Sequence, residues 1–303
     1  MAWRAARLAA IAACLVSIPP APSGANIFAA DGTDPRLYVA EDSIAWQRLR
    51  AVGTIASDFV LRDKRGVFSV KPGMGTAFLV SPCYAMTNYH VVFGAAAPDP
   101  MGDYPVTLRF GLRARGGPVL SVRGRVRVWE EPGETAADVA LIRINACPGA
   151  QLGWFSLSAA TAALPLAGRS VAMPSVSGDR SMTRLSLQAG CRIRAAEAGA
   201  AWLLHDCATR EGASGAPLID AAAAGVPAVL GINAGEFRAA PGIRAHYDPR
   251  HANWGVSMRF LDGAPRLRTV VEHDIARARV ANPFAANPSA ADPPAADPPA
   301  ADR

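Results

Sequence analysis

Ten short apolar or alternating runs leave this chain little choice but a β fold. They are "WQRLRAVGTIASDFVL", "GTAFLVSP", "VTLRFGL", "VLSVRGRVRVWE", "DVALIRI", "RSVAMPSV", "TRLSLQAGCRI", "AWLLHDC", "APLID" and "AVLGINAG". Clusters of Gly, Pro, Asp and Ser separate them, as turns separate strands. Strands in this number without helices between them point to barrels or a sandwich. One segment breaks the pattern. "APRLRTVVEHDIARARV" places Leu267, Val270, Val271 and Ile275 at helical spacing and predicts a C-terminal helix.

The two ends of the chain read differently. Residues 1–25 carry Arg4 and Arg7, an apolar run from Leu8 to Ile18, and small residues up to Ala25. That order is a secretory signal peptide cut after Ala25, or an uncleaved anchor. The run is too short to span a bilayer as a helix. Residues 26–45 form an N-terminal arm or a removable propeptide. Residues 281–303 repeat Ala-Ala-Asp-Pro-Pro and are expected to form a disordered tail. The folded unit is therefore expected over 46–280.

Cleavage after Ala25 would remove two of the arginines and one of the five cysteines, taking the net charge from +6 to +4. Arg109, Arg113, Arg115, Arg123, Arg125 and Arg127 alternate with small or apolar residues, as on the solvated face of a strand. No lysine block interleaves with aromatics, so the chain is expected not to bind nucleic acid. Four cysteines remain, Cys83, Cys147, Cys191 and Cys207. In an exported chain they suggest two disulfides of three possible connectivities; otherwise they are buried thiols.

Within this β chain "CATREGASGAPLID" is the stretch that suggests chemistry. Gly212-Ala213-Ser214-Gly215 either is an ordinary turn or exposes one hydroxyl. A serine becomes a nucleophile only with a base, a group that orients the base, and donors for the oxyanion. The histidines on offer are His90, His205, His246, His251 and His273. His90 ends the segment "GTAFLVSPCYAMTNYHVVFG", where the chain leaves a strand. Asp138 stands at the lip of the apolar run "DVALIRI", where an unpaired carboxylate is costly to bury. Taken singly, His90 reads as a solvated histidine and Asp138 as a turn residue.

Together the three segments occur in the order His, Asp, Ser, each beside an apolar run, and from Trp46 to Val280 the chain resembles the trypsin/chymotrypsin-like serine peptidases. It is closer to their bacterial branch, the V8-like and trypsin-like periplasmic enzymes. The resemblance implies an all-β fold of two packed antiparallel six-stranded β-barrels of chymotrypsin type, closed by the C-terminal α-helix. It implies a serine endopeptidase with His90 as general base, Asp138 as its orienting carboxylate and Ser214 as nucleophile. The backbone N–H groups of Gly212 and Ser214 would form the oxyanion hole. The substrate pocket would be lined by Ala208, Thr209, Asn233, Ala234 and Gly235. Cys83 would pair with Cys147, and Cys191 with Cys207.

Three positions depart from the family pattern. Ala213 stands where the digestive enzymes carry the Asp that pairs with a newly cut N-terminus, so that switch cannot operate here. Val91 replaces the cysteine that follows the catalytic His. Asn233 replaces the histidine with which glutamyl endopeptidases hold a Glu side chain. No acid stands at the expected pocket floor, which suggests a small or uncharged side chain before the scissile bond; Glu211 and Glu236 are near enough in sequence to alter that.

The remaining signals are weaker. His246, Asp248 and His251 in "HYDPRH" match no rigid metal spacing and read as a surface loop. His205 reads as structural. No cofactor fingerprint is present, so neither a cofactor nor a metal is expected. The protein is expected to be a periplasmic or secreted monomer acting on proteins or peptides. The rival readings are a catalytically silent binding module on the same fold and a hydrolase of non-peptide esters.

Overall fold

The computed structural model describes residues 26–41, 43–57, 61–62, 68–69, 73–94, 98–99, 101–115, 117–130, 137–157, 165–196, 201–221, 225–238, 242–278 and 280–286. The segment 1–25 and the tail beyond Ala286 lie outside these. An N-terminal arm holds β1 (Ile27–Phe28) and β2 (Leu37–Tyr38). The first half then holds β3 (Val52–Ser57), the short pair β4 (Leu61–Arg62) and β5 (Phe68–Ser69), and β6 (Met74–Leu79). It continues with β7 (Tyr84–Thr87), β8 (Pro105–Phe110), β9 (Leu120–Glu130) and β10 (Val139–Ile144). The second half holds β11 (Ser170–Ser175), β12 (Ser186–Ala196), β13 (Trp202–His205) and β14 (Pro217–Asp220). It ends with β15 (Val229–Glu236), β16 (Ile243–Arg244) and β17 (Asn253–Ser257).

Strand pairing closes two antiparallel barrels. β10, β7, β6, β3, β8 and β9 bond in that order, and β9 returns to β10. β11, β14, β15, β17, β13 and β12 do the same, β12 returning to β11. These are the two six-stranded barrels that the resemblance implies. The alternation in β9 shows why the sequence folds this way. Val126 and Val128 turn into the first barrel while Arg123, Arg125 and Arg127 face solvent. Phe78, Met86, Leu108, Phe110, Leu141 and Ile144 fill that barrel, and Val171, Ile193, Leu203 and Leu218 the second. Each such side chain contributes roughly 1.5–3 kcal/mol by leaving water.

Among the described residues the helices are short except one. α1 (Ile44–Leu49) corrects the reading of "WQRLRAVGTIASDFVL" as one extended run. Ser43 caps it, its hydroxyl accepting from the Trp46 N–H, and Trp46 and Leu49 bury the same helical face. α2 (Tyr89–Phe93) and α3 (Gly149–Leu152) are single turns. α4 (Pro265–Ala278) is the expected C-terminal helix, with Leu267 and Val271 buried but Ile275 exposed. Its Asp274 carboxylate accepts from the Ser81 hydroxyl (2.7 Å) and the Cys83 N–H (2.9 Å), fixing the helix to the first barrel.

The boundary expected after Val280 moves. Asn282 donates to the Trp154 carbonyl at 2.7 Å, and the Phe284 ring packs on Phe155 with centroids 5.6 Å apart. Gly153 has a left-handed φ of 84°, and a side chain there would meet the Phe284 ring at 2.6 Å. The first residues after the helix are thus docked, because one phenylalanine among the alanines and prolines finds a hydrophobic seat. Cys83 and Cys147 stand at disulfide distance, as do Cys191 and Cys207. The first pair ties the β6–β7 turn to the end of β10. The second ties β12 to the segment leading to Ser214. Among the described residues no helix is long and apolar enough to cross a membrane.

Candidate active site

His90 is placed by the end of β7. The strand stops at Thr87, Asn88 adopts extended backbone and sends its amide to the Asp138 carbonyl (2.9 Å), and α2 begins. Asp138 immediately precedes β10 and is 1% exposed. Both of its oxygens are held by one residue. Oδ1 accepts from the His90 backbone N–H at 2.9 Å, and Oδ2 lies 2.5 Å from His90 Nδ1. A buried carboxylate needs charge-assisted partners of this kind. The imidazole itself is 36% exposed, so one edge is clamped and the other faces the cleft.

Ser214 comes from the other barrel, in the turn between β13 and β14. Gly212 and Gly215 both take left-handed backbone, with φ of 90° and 87°. A side chain on Gly215 would stand 2.0 Å from the Thr76 carbonyl oxygen and 2.3 Å from Thr87 Oγ1, so only glycine lets the turn reach the first barrel. Thr76 on β6 receives it. Its N–H donates to the Ser214 carbonyl (2.8 Å), its hydroxyl donates to the Gly212 carbonyl (2.9 Å), and that hydroxyl accepts from the Val176 N–H (3.1 Å). The N–H groups of Ala213, Gly215 and Ala216 have backbone acceptors. Among the described residues those of Gly212 and Ser214 have none, and both residues line the cleft.

Thr76→Val keeps the shape and the backbone bond but leaves two buried groups unsatisfied, at a cost of about 1–3 kcal/mol. A lower urea midpoint together with a lower kcat is the expected outcome, and unchanged values of both would show that the hydroxyl plays no part.

The cleft has a volume of about 410 Å³ and brings His90 and Ser214 together with Thr209, Asn233, Ala234 and Gly235. The Ser214 hydroxyl donates to the Ala234 carbonyl at 3.4 Å. At that length the bond is weak, and rotation about one side-chain bond redirects the hydroxyl. Ala208 is corrected: it is fully buried, its N–H bonded to Gln188 Oε1, and it does not line the cleft. Asn233 lines the cleft, and its amide donates to the Ala213 carbonyl at 2.8 Å and so braces the turn. Glu211 and Glu236, together with Met74, Arg210 and Trp254, also line the cleft. Burial raises the Glu236 carboxyl above its ordinary range, and the nearby His90 charge draws it down. Only the proximity of Glu236 to "GINAG" in the sequence hinted at its place.

His205 lies behind this wall on β13, fully buried, with the Asn233 amide and the Trp254 backbone as polar neighbours. Neither ring nitrogen makes a hydrogen bond of regular geometry. Burial lowers its pKa to about 4. The unfolded chain therefore takes up this proton near pH 6.5 while the folded protein resists it, so stability is full above that pH and falls as the solution is acidified. The loss reaches about 3 kcal/mol by pH 4. Urea midpoints measured from pH 7 to 4 are expected to fall less steeply in His205→Gln than in the wild type; parallel slopes would remove His205 as the cause.

His246 is apart from the cleft lining, and Asp248 is engaged within its own loop by Arg250 and His251. Among the described residues no group of three His, Cys, Asp or Glu side chains is placed to hold a metal ion.

Two six-stranded barrels carry a histidine–carboxylate pair on one and a serine turn on the other. The trypsin-like peptidase domain family matches residues 75–232, and the chain belongs to that family. No curated protein matches the sequence. Among solved structures, "Structure of Glu endopeptidase in complex with MPD" is similar at 16% identity, covering 78% of this chain and 98% of that chain, with a TM-score of 0.49.

Proposed function

We propose that this peptidase is an exported serine endopeptidase in which His90, Asp138 and Ser214 act as one unit. The observation that carries this reading is the buried Asp138 carboxylate, both oxygens bonded to His90, whose imidazole lines the cleft where Ser214 lies beside two N–H groups that have no backbone acceptor among the described residues. His90 takes the Ser214 proton on Nε2 as the serine oxygen attacks the peptide carbonyl. The N–H groups of Gly212 and Ser214 receive the negative oxygen. Asp138 holds the Nδ1 proton and stabilises the imidazolium. The imidazolium then protonates the leaving amine, which departs with its new N–H bond and leaves an acyl group on Ser214. Water, deprotonated by His90, releases that group by the same route.

Thr209, Ala234 and Gly235 form the wall against which the substrate side chain lies. Export is supported by the leader-like segment 1–25 and by the two cysteine pairs at disulfide distance. The protein starting at Asn26, incubated with an internally quenched peptide library and with simple esters, is expected to cleave peptide bonds, and Ser214→Ala to cleave none. Ester hydrolysis without peptide hydrolysis would overturn the endopeptidase reading.

A further inference from the structure

The N-terminal arm carries more polar contacts than a dispensable extension needs. Asn26 is fully buried, and its carbonyl accepts from the N–H of Thr209 (3.1 Å) and from Asn253 Nδ2 (3.0 Å). Its own amide donates to the carbonyls of Arg238 (2.8 Å) and His251 (2.6 Å). β1 pairs with β16, and β2 pairs with the first residues of β12. Arg36 is the largest burden. Its guanidinium is 1% exposed yet bonds two carboxylates, Asp34 at 2.6 and 3.0 Å and Asp179 at 2.6 and 3.1 Å.

Such a buried charge contributes little net stability, since desolvation offsets most of the attraction; what it supplies is a fixed geometry. The geometry fixed here is that of the segment 176–180. Asp179 sits between Arg36 and the Arg210 guanidinium, which is 3.8 Å away. One residue earlier the Gly178 N–H donates to the Glu211 carbonyl at 2.7 Å, and the backbone at Gly212 packs on Val176, where an added side-chain carbon would stand 3.1 Å from the carbonyl oxygen. The arm thus grips 176–180, and 176–180 grips the Glu211–Gly212 peptide itself, through the carbonyl whose partner N–H is that of Gly212, and packs on the Gly212 backbone. Ala213 cannot take part in the ion pair that shapes this turn in the digestive enzymes.

We propose that the arm over residues 26–41 is a permanent part of the enzyme, and that Arg36, through Asp179, positions the Gly212 N–H for the oxyanion. Arg36 is a positioning residue, and no proton or bond passes through it. The inference rests on the reading of Gly212 and Ser214 as oxyanion donors.

The test compares Arg36→Lys and Asp179→Asn with the wild type. Asp179 is partly exposed and Asp34 still pairs with Arg36 in its variant, so Asp179→Asn is the milder change. Active-site titration counts competent enzyme, and urea midpoints follow stability. Per competent site, kcat is expected to fall by about 10- to 100-fold, below the full worth of one donor, with KM changed less than 2-fold. A peptide aldehyde, whose adduct places an oxyanion in the same position, is expected to weaken by the same factor as kcat, while a product-like peptide acid binds as before. A fall in titratable enzyme with kcat per site unchanged would make the contacts merely structural and overturn the proposal, as would full activity in Asp179→Asn. A wild type that cleaves nothing would instead strike at the peptidase reading itself.

Discussion

Ser214→Ala is expected to lower kcat by about a million-fold, and adding His90→Ala to that variant is expected to cost little more. The two side chains act in one proton transfer, so removing either removes the step, and the effects of such a unit do not add. The fold should survive both changes. Ser214 lies in a turn whose anchors are backbone atoms, the Thr76 hydroxyl and the Asn233 amide, none of which involves the serine side chain. Residual turnover above water would come from the N–H groups of Gly212 and Ser214 and from binding. The check is kcat for single and double variants on one peptide substrate; independent, multiplying losses would mean that the two side chains do not share a step.

Asp138→Asn is expected to cost about ten-thousand-fold in kcat with KM near its wild-type value. The reason is specific to how the carboxylate is held. An amide can keep the bond from the His90 backbone N–H through its oxygen, because that N–H lies 2.9 Å from Oδ1. It then presents NH₂ to Nδ1 where Oδ2 now accepts at 2.5 Å. A ring facing a donor on Nδ1 must carry its own proton on Nε2, and that tautomer cannot take the serine proton. Geometry is preserved while chemistry is lost, which a near-wild-type urea midpoint beside the collapsed kcat would reveal. A loss of folding equal to the loss of rate would show that Asp138 serves the core and not the histidine.

The fold class was readable because ten runs repeat one local signal, and two barrels are a common way to bury that many antiparallel strands. Local signals failed where tertiary contacts decide. Ile44–Leu49 is helical because Ser43 caps it and Trp46 finds a seat under the first barrel, although its residues alternate well enough to pass for a strand. Phe284 sits in a segment that composition assigns to a disordered tail, and one docked ring against Phe155 overrides the composition.

The site was legible only as an order. No feature of His90 or Asp138 alone separates it from a loop residue; the sequence of His, Asp and Ser beside three apolar runs does. What the order cannot convey is the direction of side chains. Asn233 lines the cleft but also braces Ala213, and Ala208 is turned into the core. Least legible was the Arg36–Asp179 pair, whose partners are 143 residues apart and share no motif.

The central claim, that Ser214 is an activated nucleophile, is tested most directly by labelling the protein that starts at Asn26 with a fluorophosphonate probe. The account predicts rapid, stoichiometric labelling that vanishes in Ser214→Ala and in His90→Ala. An unlabelled wild type, or label that persists in Ser214→Ala, would contradict it.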